Sequence, residues 1–144
     1  MIRFCALLLL AFAAPLAAQE GALAEVNAVR VARGLQPFTE DAGLTKAAKG
    51  AAEYRAARRI EGHTDSDFKF LPAGTAADAA GCAAWEPGWG WGACCTYEGW
   101  KFAGAAFAVG SDGRRYMHLF VREGNGGGST SNQGFSSSRR RWRR

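Results

Sequence analysis

Two histidines are the side chains of this chain best suited to proton transfer or metal binding. His63 follows Gly62 at the expected end of a helix, and Asp65 and Asp67 follow it within four residues. An imidazole titrates near neutral pH, and a carboxylate is a common partner for it. His63 and Asp67 are therefore candidate catalytic residues. The alternative is a helix-terminal histidine that binds the last carbonyls and complements the helix dipole.

The second histidine, His118, lies in an apolar segment between Tyr116 and Phe120. Its position favours a core histidine with one hydrogen-bonded nitrogen, because inward strand positions usually serve packing. If His118 instead faces the same cavity as His63, it supplies a second imidazole for a ligand or a metal.

Aromatic residues form a second candidate site. Trp89, Trp91 and Tyr97 belong to a glycine-rich segment that also contains Trp85 and Trp100. Such rings could form a stacking surface for sugars or sterol-like lipids, although packing in a small core is the favoured interpretation. The candidate ligand-binding residues are thus Trp89, Trp91, Tyr97 and His118.

The N-terminus predicts export. Residues 1–18 contain Arg3, an apolar run and then small residues, which is typical of a secretory signal peptide. That run is shorter than the roughly 20 apolar residues that span a bilayer, so no membrane span is expected. We expect a secreted or periplasmic protein.

Export has a consequence for the cysteines. Cys82, Cys94 and Cys95 remain after removal of the signal peptide, and an oxidising compartment favours one disulfide among them. Adjacent cysteines on a strand point to opposite faces, so only one of Cys94 and Cys95 can easily reach Cys82. A metal site is the weaker alternative, because no paired C-x-x-C spacing is present.

The net charge of +5 comes from residues near the two ends of the chain. Between residues 19 and 122, Lys and Arg number 12, and so do Asp and Glu. Nucleic acid is therefore not favoured as a partner. The tail, residues 123–144, is rich in Gly and Ser and ends in arginines. Its composition predicts disorder, and its arginines could contact anionic surfaces.

Two helices and a hairpin must position these residues. The first helix is expected from Gly21 to Arg33, and the second from Asp41 to Gly62. A short helix could follow at Thr75–Ala80. Strands are predicted at Phe102–Val109 and Arg114–Val121, with a possible third at Cys94–Tyr97.

The two main strands are apolar on both faces, so the hairpin needs cover above and below. We therefore predict an α+β fold: a three-layer α-β-α sandwich with a small antiparallel sheet.

The order of several motifs carries a family resemblance. They are Asn27-x-x-Arg30, Gly34-Leu35-x-Pro37-Phe38, Asp41-x-x-Leu44-x-x-Ala47-Ala48, His63-Thr64, Ala103-Gly104-Ala105-Ala106 and Gly110-x-Asp112-Gly113-x-x-Tyr116. Together they resemble the CAP superfamily, the SCP domain of cysteine-rich secretory proteins, antigen 5 and pathogenesis-related protein 1. This chain looks like a short, divergent, bacterial-type member.

The resemblance implies the same sandwich and a cavity lined by two histidines and two acidic residues that can bind a divalent metal. His63 matches the first histidine. The region expected to hold the second reads Gly90-Trp91-Gly92 and contains no histidine. No metal site is carried over, and no cofactor is predicted, with a divalent metal as the open alternative.

The sequence thus predicts one domain, residues 19–122, acting as an extracellular binding or interaction module for a lipid, a protein or another extracellular ligand. One alternative is a degenerate metal-dependent or hydrolytic enzyme that uses His63. Another is a carbohydrate- or cell-wall-binding module that uses the tryptophan segment.

Overall fold

The computed structural model describes residues 21–85, 91 and 95–124. The predicted signal peptide, Trp89, Cys94 and nearly all of the tail lie outside these residues. Within the described part of the chain, no helix is long and apolar enough to cross a membrane.

The two predicted helices are present. Helix α1 is Ala22–Ala32, and α2 is Ala42–Arg58. Asp41 caps α2, and its side chain accepts a hydrogen bond from the Leu44 backbone nitrogen. Arg59 adopts a left-handed conformation with φ of 54°, so α2 ends before Gly62, the predicted terminus.

Four strands form one sheet in the order β1-β3-β4-β2. Their bounds are Thr39–Glu40 for β1, Ala79–Trp85 for β2, Phe102–Val109 for β3 and Arg115–Arg122 for β4. Strand β1 runs parallel to β3, whereas the other pairs are antiparallel. The fold is α+β, with two helices packed on a four-stranded mixed sheet. The expectation of a purely antiparallel sheet is wrong, because the chain enters α2 through a short strand beside β3.

Two predicted elements are also wrong. The segment Thr75–Ala80 is not a helix, since its last two residues begin β2 and pair with β4. Pairing with a neighbouring strand overrides the helix propensity of alanine. Residues 95–97, the described part of the predicted third strand, form a turn. A 3-10 helix, Asp67–Phe70, follows the segment after α2.

Alternate residues of β4 join two separate hydrophobic clusters. Met117, Leu119 and Val121 belong to the first, with residues of α1, whereas Phe120 belongs to the second, with residues of α2. The α1 cluster comprises Ala22, Val26, Phe38, Trp91, Cys95, Ala103, Ala105, Met117, Leu119 and Val121. The α2 cluster comprises Leu44, Ala47, Ala48, Ala51, Ala52, Ala106 and Phe120.

Helix α2 lies unusually close to β3. A methyl group built on Gly104 would lie 2.0 Å from the backbone nitrogen of Thr45. The glycine in the strand and the alanines of α2 together allow this approach. The alanine stripe of α2 therefore lies directly against β3.

Candidate functional site

A pocket of about 450 Å³ opens beside the segment that follows α2. It brings together the 3-10 helix, the first residues of β2 and the segment after α2. Its lining residues are His63, Thr64, Asp65, Asp67, Phe68 and Ala80. Both candidate catalytic residues predicted from the sequence therefore lie in one pocket.

His63 and Asp67 form a close pair. His63 Nδ1 lies 2.7 Å from Asp67 Oδ2, and the side chains are 48% and 3% exposed. Asp65 lines the same pocket, but the carboxylate bonded to the imidazole is that of Asp67. A buried carboxylate thus orients a half-exposed imidazole, as in the hydrogen-bonded pairs that tune histidines for ligand binding or proton transfer.

Asp67 is held by its own neighbours as well. Its Oδ1 accepts hydrogen bonds from Thr64 Oγ1 at 2.7 Å and from the Thr64 backbone nitrogen at 3.2 Å. Burial acts to raise the pKa of Asp67, but the hydrogen bonds from His63 and Thr64 outweigh it and lower the pKa. Asp67 is therefore an anion at neutral pH, with its orientation fixed from two sides.

His118 lies beneath this pair and is fully buried. Its ring is edge-on to the ring of His63, with 6.5 Å between the two centroids. The centroid of the Phe120 ring is 4.6 Å away. Neither ring nitrogen has a hydrogen-bond partner among the described residues. The prediction of one satisfied nitrogen is wrong, because none of the described residues offers either ring nitrogen a partner at hydrogen-bond distance.

The burial of His118 determines its charge. Burial lowers the pKa of His118 to about 4, against the attraction of Asp67 and together with the repulsion of Arg55 and His63. The ring is therefore neutral at neutral pH, which is the form that binds a metal ion.

Sequence reasoning missed Arg55 as a functional residue. This side chain of α2 is fully buried and donates to backbone carbonyls of the segment after α2, of β2 and of β4. Burial lowers the pKa of its guanidinium, while the nearby Cys82, Asp67 and Tyr116 act in the opposite direction. The signal was present: Arg55 lies on the flank of α2 that otherwise presents alanines to the sheet.

Cys82 also lies near this site. It is directly opposite His118 in the β2–β4 register, and its Sγ lies within 4.8 Å of ligand atoms of His63 and Asp67. Cys95, in contrast, belongs to the α1 cluster, and the two described cysteines are not joined to each other. Because Cys94 lies outside the described residues, a disulfide between Cys82 and Cys94 stays a prediction.

The predicted aromatic ligand-binding residues lie elsewhere. Trp91 is buried in the α1 cluster, and its Nε1 donates to Glu25 Oε2 at 3.1 Å. Tyr97 is partly exposed, stacks under the Arg33 guanidinium and donates to the Trp91 carbonyl. Neither residue lines the pocket of His63. The structure thus brings His63, Asp67 and His118 together and separates them from Trp91 and Tyr97.

The chain matches no protein-family model and no curated protein. The resemblance to the CAP superfamily accordingly stays a prediction.

Proposed function

We propose that this protein is an exported module of CAP-like fold that binds a divalent transition-metal ion through His63, Asp67 and His118. The supporting observation is His118, a fully buried imidazole without a hydrogen-bond partner for either nitrogen among the described residues. Buried polar groups are nearly always hydrogen-bonded, and a bound ion is one of the few explanations for a group that is not. A metal bound to one nitrogen would compensate for the burial of that group.

The donor set fits such an ion. Two imidazoles and one carboxylate suit Zn²⁺ and similar transition metals, and zinc binds an imidazole nitrogen at about 2.0–2.1 Å. The 6.5 Å between the ring centroids of His63 and His118 is longer than the roughly 5 Å that two imidazoles on one tetrahedral ion require, so the two rings must move closer together when the ion binds. Asp67 is anionic and His118 neutral at neutral pH, so both are in the form that binds a metal.

A bound ion would polarise a ligand in the pocket as a Lewis acid. The residues of this chain supply the rest of the site. In the metal-free protein Asp67 Oδ2 is hydrogen-bonded to His63 Nδ1, and a bound ion would take the place of the proton between them. Thr64 holds Asp67 through two hydrogen bonds to Oδ1. Phe68 is 47% exposed and offers an apolar ring at the rim of the pocket.

The proposed architecture is the three-layer α-β-α sandwich. Successive side chains of a strand point to opposite faces. The residues of β4 that contact the α1 cluster alternate with the residue that contacts the α2 cluster. This alternation supports a sheet covered by one helix on each face. The N-terminal sequence supports export to an extracellular or periplasmic space.

Calorimetric titration of the metal-stripped protein with Zn²⁺ tests the proposal. We expect one ion per chain in the wild type and loss of the binding heat in both His63→Ala and His118→Ala, because each removes one donor. Tyr116→Phe is the matched control. Tyr116 lies on β4 two residues from His118 and is equally buried, but it offers no donor to the site. Absence of binding in the wild type, or binding unchanged in His118→Ala, would contradict the proposal.

The 2.7 Å bond between His63 and Asp67 also favours a second function, a hydrolase in which Asp67 orients His63 as general base. This function predicts hydrolysis of an activated ester that persists in excess chelator and is lost in Asp67→Asn. Hydrolysis that requires added zinc would instead favour the metal site.

A further inference from the structure

A single guanidinium connects the two chain segments that carry the histidines. Arg55 Nε donates to the Gly62 carbonyl at 3.1 Å, and its Nη2 donates to the Glu61 carbonyl. These two carbonyls immediately precede His63. On the other side of the guanidinium, Nη1 donates to the Met117 carbonyl at 2.6 Å. Met117 immediately precedes His118.

The side chain of Arg55 also contacts strand β2. Arg55 Nη1 lies 3.5 Å from the carbonyl oxygen of Ala83, the residue after Cys82 in β2. Every hydrogen bond that Arg55 makes among the described residues goes to a backbone carbonyl. A planar fork of N–H donors can hold several carbonyls at fixed angles, which a lysine ammonium on a flexible stem cannot do.

We infer that Arg55 is a positioning residue that sets the separation of the His63 and His118 rings, and with it the affinity of the site for a divalent metal. The inference about affinity rests on the proposed function. The positioning of the rings does not, because it follows from hydrogen bonds within the protein. Residues behind the ligands of a metal site usually change metal affinity about 10- to 100-fold when they are replaced.

Arg30 provides a matched control within the same chain. It is also buried, at 3% exposure, and donates to the carbonyls of Gln36, Thr96 and Glu98. None of these carbonyls adjoins a residue of the pocket. Both arginines therefore stabilise the fold by binding carbonyls, but only Arg55 connects the segments of His63 and His118.

The test compares Arg55→Lys with Arg30→Lys at a temperature at which both are folded. Zinc affinity is measured by calorimetry, and the imidazole ¹⁵N resonances of the metal-free proteins are measured by NMR. Arg55→Lys is expected to weaken zinc binding about tenfold or more and to move the ring resonances of both histidines. Arg30→Lys is expected to leave both quantities unchanged, although its thermal midpoint falls too. If Arg55→Lys does not fold, Arg55→Gln, which keeps one NH₂ donor group, replaces it.

The outcomes separate the two proposals. Unchanged ring resonances in a folded Arg55 variant would overturn the positioning role. If the wild type binds zinc, a folded Arg55 variant with the same zinc affinity would overturn it too. A wild type without zinc binding would overturn the proposed function. Movement of both ring resonances in the Arg55 variant would still support the positioning of the histidines in that case.

Discussion

The α1 cluster and the α2 cluster take alternate residues of the same strand but use different side chains. The α1 cluster contains large groups, among them Phe38, Trp91 and Leu119. The α2 cluster is built mainly from alanines. Small side chains bring α2 close to β3, and the space towards the end of α2 is occupied by polar groups, Arg55 and His118. The candidate site therefore lies where the packing uses the smallest apolar groups.

Each cluster also has one buried arginine that binds carbonyls. Arg30 holds a loop and a turn and stacks on Phe38, with 3.6 Å between its Cζ atom and the ring centroid. Arg55 holds the segments that carry the two histidines. The same interaction is structural in one region and, by our inference, supports ligand binding in the other. The two arginines differ in which residues adjoin the carbonyls that they bind: only the carbonyls bound by Arg55 adjoin the histidines.

Gly104→Ala should produce the largest effect, because it opposes the close packing of α2. The new methyl group would lie 2.0 Å from the Thr45 backbone nitrogen, and the backbone cannot yield without moving the helix. We expect a loss of about 3 kcal/mol in the free energy of unfolding, measured by urea denaturation. Gly99→Ala, whose methyl group would meet nothing within 4 Å, is the control and should have little effect. A small loss in Gly104→Ala would contradict the packing described for the α2 cluster.

The pH dependence of stability is the next largest effect and is specific to the α2 side. Burial lowers the pKa of His118 from 6.5 to about 4, so between these values the unfolded chain binds more protons than the folded protein. The contribution of His118 is complete above pH 6.5 and is lost as the pH falls towards 4. It amounts to about 3 kcal/mol.

Urea denaturation of the metal-free protein from pH 7 to pH 4 measures this effect. In His118→Leu, the free energy of unfolding should fall less steeply between pH 7 and pH 4 than in the wild type, because the contribution of His118 is absent. Asp67 contributes little to this signal, because its pKa is lowered and its contribution is lost only as the pH falls from the ordinary aspartate pKa downwards, at the acid end of the titration. An identical slope in the wild type and in His118→Leu would show that His118 is not buried as described.

Many of the structural elements in these two regions were predictable from local sequence. Helical spacing, the cap at Asp41 and the hairpin turn between β3 and β4 predicted both helices and the two long strands. The pair of His63 and Asp67 was predictable because the two residues are four apart in a short segment. These features depend on neighbours in the chain, which sequence patterns report directly.

The remaining features depend on contacts between distant residues. Strand β2 was missed because its alanines favour a helix when pairing with β4 is ignored. The proximity of His118 to His63 follows from the register of β4 and the path of the segment after α2, and neither leaves a local signal. Helical spacing is enough to put Arg55 on the alanine flank of α2, but it does not reveal the carbonyl partners of this side chain, which are 6 to 62 residues away.

Trp91→Phe should give the smallest effect and tests the other side of the comparison. The phenyl ring keeps most of the apolar contact in the α1 cluster but loses the hydrogen bond from Nε1 to Glu25 Oε2. We expect a loss of about 1 kcal/mol in the free energy of unfolding. Zinc affinity should not change, because Trp91 does not line the pocket of His63. A Trp91→Phe variant with normal stability but weaker zinc binding would contradict the proposal that the α1 cluster is only structural and that ligand binding belongs to the α2 side.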